Sequence, residues 1–267
     1  MIAAPPLLEV TDLTVDFGLG PVVDRLSLTV HPGDRIGIIG ESGSGKSLTA
    51  LAIVGLAPDQ ARITGSVRWQ GRELLGRGDR ELSTLRGSAM AMVFQNPLSS
   101  LNPVMRVGRQ IAEPLRLHEG LSRSAAAAQA VELCRLVGLP DPEHTAKAYP
   151  HQLSGGQRQR AGIAIALAAQ PALLIADEPT TALDVTVQAG VLALLADLIA
   201  ARGTALVFIT HDVALVSGIT DQLLVMRRGL VVERGPTARL ARTPEHEYTQ
   251  RLIAAARATA LDAEPAP

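Results

Sequence analysis

Apolar and polar residues alternate over Leu7 to Val15 and again over Leu26 to Val30, the period of strands with one face buried and one in water. His31-Pro32-Gly33-Asp34 reads as a turn after them. Four later segments differ. Ile36–Ile39, Met90–Phe94, Leu173–Ala176 and Leu206–Thr210 are short and almost continuously apolar, as strands covered on both faces are. Each runs into a chemically capable group: Gly40 with a glycine-rich loop, Gln95, Asp177 with Glu178, and His211 with Asp212. In an open parallel α/β sheet, ligands bind at the C-terminal edge of the strands. Four such endings in order predict a single site.

Between Gln95 and Asp177 the pattern turns helical. Ser124 is placed to cap a helix through Ala130, Leu133 and Leu136 that stops near Gly138. A second helix is expected to begin after Gly155-Gly156 and to pass through Arg160, Ile163 and Leu167. Beyond Pro236 a short helix is expected around Tyr248 to Ala256, then a disordered Pro- and Ala-containing tail over 257–267. The organisation this predicts is one domain over 7–256 with a helical insertion of about 97–160.

Composition narrows the class. The 267 residues are 47% hydrophobic but only 2% aromatic, so the core must be built from Ala, Leu, Val and Ile, which suits helices on a buried parallel sheet. A formal net charge of −1 argues against a general nucleic-acid binder, which carries a basic excess. Cys134 is the only cysteine; it excludes an internal disulfide and a multi-cysteine metal site, fits a reducing cytoplasm, and reads as a small buried hydrophobe. Met1-Ile2-Ala3-Ala4-Pro5-Pro6 has no basic segment or long apolar stretch of a secretory leader. No apolar run approaches the ~18 residues that span a bilayer; the stretch Val191 to Ala201 is broken by Asp197. The chain is not expected to cross a membrane.

Gly40-Glu41-Ser42-Gly43-Ser44-Gly45-Lys46-Ser47 matches the phosphate loop G-x-x-x-x-G-K-[ST] at every fixed position. Glycines let the backbone turn its N–H groups inward, and the helix opened by Lys46, Ser47 and Leu48 aims its positive end at phosphate. Lys46 is the expected partner of the β- and γ-phosphates of ATP, and the Ser47 hydroxyl a ligand of Mg²⁺. An ordinary glycine-rich turn would not sit between an apolar strand and an apolar-faced helix. Asp177 is a hard oxygen donor suited to Mg²⁺, directly or through water. Glu178, expected to point the other way from the same strand, is placed to take a proton from an attacking water. Leu153-Ser154-Gly155-Gly156-Gln157 reads either as a serine-capped helix start or as a second anion-binding start facing phosphate. Since the chain already has a phosphate loop, the second reading makes sense if Ser154 to Gln157 serve another subunit's nucleotide.

Taken together, these residues resemble the ATP-binding cassette (ABC) family. The resemblance rests on the phosphate loop, Gln95, Leu153–Gln157, Leu173–Glu178, Ala182-Leu183-Asp184 and His211, in that order, and spans about Leu7 to Ala256. It implies an α/β P-loop (RecA-like) nucleotide-binding domain with an antiparallel β subdomain and a helical insertion subdomain. It also implies two cassettes joined head to tail, with ATP between the loop of one and the signature of the other. By the same resemblance Gln95 senses Mg²⁺ and the attacking water and links to the permease, Asp184 communicates across the dimer, and His211 contacts the γ-phosphate. Phe17 stands where the family stacks an aromatic ring on adenine.

Gln95-Asn96-Pro97-Leu98-Ser99-Ser100-Leu101-Asn102-Pro103, Tyr149–Leu153, Pro179–Val185 and Tyr248-Thr249-Gln250 resemble the oligopeptide, dipeptide and nickel branch. Its members work with two integral-membrane permeases, an extracytoplasmic substrate-binding protein and a second cassette, at the cytoplasmic face of the cell membrane. A departure is that no cysteine follows Cys134, whereas many members carry a C-terminal cysteine-bearing segment. That slightly weakens dipeptides against nickel or metallophores, with uptake of peptides still the expected role. Two rivals are a soluble ABC ATPase acting on ribosomes or DNA, and a phosphate-loop kinase. The first expects fused cassettes or long coiled-coil insertions, and the second gives Leu153–Gln157 no task.

Overall fold

The computed structural model describes residues 5–95, 101–180 and 183–262. In chain order its strands are β1 (Leu8–Asp16), β2 (Pro21–Val30), β3 (Arg35–Ile39), β4 (Arg62–Trp69), β5 (Arg72–Glu73), β6 (Met90–Val93), β7 (Leu173–Asp177), β8 (Ala205–Thr210), β9 (Gln222–Arg227) and β10 (Leu230–Pro236). The helices are α1 (Lys46–Ile53), α2 (Asp79–Leu82), α3 (Val107–His118), α4 (Arg123–Leu136), α5 (Pro142–Lys147), α6 (Gly155–Leu167), α7 (Val185–Arg202), α8 (Val213–Val216), α9 (Thr237–Arg242) and α10 (Glu247–Asp262). Its contacts divide the chain into two compact units, Met1–Asp79 with Ala205–Pro267, and Arg80–Thr204.

The first unit holds two kinds of sheet. In the order β2-β1-β4-β5, all neighbours are antiparallel, with Leu8 opposite Val30 and Val10 opposite Leu28. Its alternation buries Leu8, Val10, Leu13 and Val15, the half-buried pattern expected. Beside it stand β10-β9-β3-β8, where β3 runs parallel to both β8 and β9 and β10 returns antiparallel to β9. Ile36, Ile38, Ile39, Val207, Phe208 and Ile209 are almost fully buried. Burying each such side chain contributes roughly 1.5–3 kcal/mol, so β3 and β8 form a rigid base for whatever follows their C-terminal ends.

The second unit pairs β6 with β7 in parallel, Met90 opposite Leu173 and Val93 opposite Ala176. Helices α3, α4 and α5 pack on one another, and α6 precedes β7 while α7 follows it. Cys134 is wholly buried on α4, and burial pushes its thiol up to about 11, which leaves it protonated and inert at neutral pH.

Several local expectations change. Ser122, not Ser124, caps α4 by accepting the Ala125 N–H at 3.2 Å. Helix α6 begins at Gly155 itself, with both glycines in its first turn. Helix α10 runs from Glu247 through Asp262, so residues 257–262 are helical where a disordered tail was expected; Ala and Leu are strong helix formers. Strands β4, β5, β9 and β10 go beyond the sequence reading. Met1 to Ala4, the branch-motif residues Asn96 to Ser100, Thr181 and Ala182, and residues 263–267 lie outside the described residues. No helix among the described residues is long and apolar enough to cross a membrane.

Candidate active site

The phosphate loop follows directly from the buried β3. A Cβ on Gly40 would lie 2.2 Å from the Met226 carbonyl oxygen, so only glycine fits where the chain leaves the sheet. Gly45 is the N-cap of α1 at φ 99°, a backbone region that side chains strain to enter. Its Cβ would lie 2.6 Å from the Val22 carbonyl oxygen of β2. No side chain caps the first turn of α1. Lys46 is buried, and its Nζ donates to the carbonyls of Gly40 at 2.7 Å and Glu41 at 2.9 Å. The ammonium therefore lies folded back over the loop. Ser44 donates its N–H to Glu41 and accepts the Gly229 N–H through its carbonyl, while its buried hydroxyl has no hydrogen-bond partner. Such an orphaned donor costs roughly 1–3 kcal/mol. An anionic oxygen in the loop would relieve that cost, so the loop fits a phosphate. Glu41, Ser42 and Gly43 form the exposed tip, and Ser47 and Leu48 are half-buried on α1.

Two further residues of this unit were predicted to meet the nucleotide. His211 is exposed immediately after β8. Asp212 beside it donates its N–H to Thr210 Oγ1 at 3.0 Å and caps α8 by accepting the Ala214 N–H at 2.9 Å. Phe17 directly follows β1 and is 40% exposed, a free aromatic face instead of a core ring.

In the second unit Asp177 ends β7, 4% exposed, and Glu178 follows it, 8% exposed. Glu178 has φ 45°, so it has left the strand, and the expected alternation of adjacent strand side chains does not apply. A left-handed glutamate is uncommon and costs energy. Gln95 Nε2 donates to Glu178 Oε2 at 2.9 Å; in the sequence the two residues were visible only as separate strand endings. The bond orients the carboxylate without giving it a proton.

The Leu153–Gln157 segment forms a reciprocal capping box. Ser154 Oγ accepts the Gln157 N–H at 3.3 Å, and Gln157 Oε1 accepts the Ser154 N–H at 2.9 Å. Leu153 is buried behind it while Ser154 and Gly155 are exposed. Ser154, Gly156, Gln157, Arg160, Val187 and Gly190 line an open depression of about 340 Å³. Asp184 is exposed and caps α7 by accepting the Val187 N–H at 3.0 Å.

The family model for ABC transporters matches residues 23–181. This chain belongs to the ABC transporter family. The cassette is 48% identical over 251 residues to the oligopeptide transport ATP-binding protein OppD of Salmonella typhimurium, covering 92% of this chain and 75% of that one. It is 47% identical over 255 residues to a putative peptide import ATP-binding protein of Brucella abortus, covering 94% and 77%. Among solved structures, the ATP-binding cassette MJ0796 bound to ADP and Pi, as a post-hydrolysis dimer, superposes with a TM-score of 0.77 at 28% identity, covering 86% of this chain and 98% of that one. The expected α/β P-loop cassette fold is thus the fold found.

The sequence did not show what tethers the cassette's phosphate loop from outside. The Glu41 N–H donates to the Tyr248 hydroxyl at 3.0 Å. Tyr248 stood out in the sequence only through its resemblance to the peptide branch, and no spacing rule links positions 41 and 248.

Proposed function

We propose that this cassette is the ATP-hydrolysing subunit of an importer for peptides. Its activity resides in one nucleotide-binding domain of 7–256 with the helical insertion of about 97–160. The observation that carries the hydrolytic reading is the Gln95–Glu178 hydrogen bond on a strained, nearly buried glutamate. Strained backbone at a titratable residue points to a functional constraint. The peptide reading is supported by the names of its relatives for oligopeptide and peptide import.

In this reading Gly40 to Leu48 wrap the phosphates of ATP, and Lys46 leaves the Gly40 and Glu41 carbonyls to meet the β- and γ-oxygens. Phe17 offers its exposed ring to adenine, and His211 contacts the γ-phosphate. Glu178 takes the proton of the attacking water, an effect typically worth a hundred- to ten-thousand-fold in rate. Gln95 holds that carboxylate in place. The hydroxyl of Ser47, the amide oxygen of Gln95 and the carboxylate of Asp177 are oxygen donors of the kind Mg²⁺ accepts together with water and phosphate. The metal would neutralise charge on the phosphates. Ser154, Gly155, Gly156 and Gln157 face the nucleotide of a second cassette, and Asp184 senses it.

Two integral-membrane permeases, a second cassette and an extracytoplasmic binding protein complete the complex, with this subunit on the cytoplasmic face of the membrane. Closure is driven by ATP because ATP binds the closed pair better than the open one. Replacing Glu178 with Gln tests the reading. ATP binding should stay within about twofold, turnover should fall a hundredfold or more, and ATP should hold a dimer on gel filtration. Normal turnover in that variant would remove Glu178 as the base.

A further inference from the structure

We propose that Tyr248 is a positioning residue for the nucleotide: its hydroxyl latches the phosphate loop to the start of α10. This rests on the reading of Gly40–Ser47 as the ATP site. Tyr248 is 3% exposed, and its hydroxyl accepts the Glu41 N–H at 3.0 Å. The Arg227 guanidinium, at the end of β9, lies 5.0 Å from the centre of the ring, close enough for a cation–π contact. The ring is thus held by β9 and its hydroxyl by the loop.

The start of α10 is itself anchored. Glu233 on β10 accepts the N–H groups of Glu245 at 2.9 Å and His246 at 3.2 Å through its two carboxylate oxygens. Burial alone would push the Glu233 carboxyl up, but these bonds, led by that from Glu245, hold it below the usual carboxylate range. His246 Nδ1 then accepts the Tyr248 N–H at 3.1 Å. A continuous series of polar contacts runs from β10 through residues 245–248 to the loop.

The need for such a latch follows from Lys46. Glu41 is held at its carbonyl by Lys46 Nζ at 2.9 Å and at its N–H by the Tyr248 hydroxyl. When Lys46 turns to a phosphate it gives up that carbonyl. The Tyr248 bond persists, so Glu41 keeps its place while the cation moves. A loop already in its bound shape spends less binding energy on ordering. The latch therefore raises nucleotide affinity without touching the nucleotide.

The test is Tyr248→Phe in the full chain, which keeps the ring and removes the acceptor. Titration with MgATP should show affinity about five- to tenfold weaker, the scale of one lost hydrogen bond. By NMR, hydrogen exchange of the Glu41 amide should speed up at least tenfold while that of Thr49 on α1 stays unchanged, a split that general destabilisation would not produce. Glu233→Gln, which keeps the tyrosine and weakens its anchor, should lower MgATP affinity in the same direction by about twofold. Unchanged affinity in both variants, with the wild type binding MgATP normally, overturns the latch alone. A wild type that binds no MgATP overturns the ATP-site reading and the latch with it.

Discussion

The two helix starts proposed above to meet nucleotide phosphate are built in opposite ways. Helix α1 opens on Gly45 with no side-chain cap, and next to it a buried Ser44 hydroxyl lacks a partner. Helix α6 opens on Ser154 with both halves of a capping box closed. Each helix start presents partial positive charge, but only the second is closed by a side-chain capping box. In the proposed function the first receives a phosphate from its own chain's nucleotide. The second is capped within its own chain: the Ser154 oxygen accepts the Gln157 N–H, while its O–H remains able to donate to an anion. The proposed role of Ser154 toward a second cassette's nucleotide therefore rests on a start already shaped by its own chain.

The contrast predicts different losses. Lys46→Ala should weaken MgATP binding by the single chain roughly a hundredfold, since a charge-assisted bond to phosphate contributes about 1.5–3 kcal/mol; equilibrium titration measures it, and a change under threefold would break the assignment of the open start. Gly45→Ala should destabilise the chain by about 2 kcal/mol or more through left-handed strain and the close Val22 carbonyl, seen as a lowered Tm. Ser154→Ala should cost only about 1 kcal/mol of stability and leave single-chain MgATP affinity within twofold, while ATP-dependent dimerisation falls. If Ser154→Ala weakened binding by the isolated chain, the two starts would not divide their work as described.

The open start was legible in the sequence because its constraints are steric. A glycine beside a carbonyl 2.2 Å from its missing Cβ leaves the same trace in any chain that folds this way. The closed start was only half legible. Ser154 and Gln157 stand at capping-box spacing, yet Gly155 and Gly156 are poor helix formers, so propensity alone delays the helix that the box begins at once. Ser122 and Ser124 are equally good caps by composition, and the position of the Ala125 N–H decides between them. Strand β9 is as apolar as β3 but ends in a turn at Arg228 and Gly229, so a search keyed to chemical endings passes over it. The Gln95–Glu178 and Glu41–Tyr248 contacts join positions 83 and 207 residues apart; only the folded chain brings them together.

Glu178 sits at φ 45°, a conformation that glycine or asparagine adopts at lower cost. For folding alone, glutamate is the wrong choice at this position. On the proposed role of Glu178 as the base, that cost is the counterpart of turnover, and asparagine there would ease the backbone while removing the carboxylate.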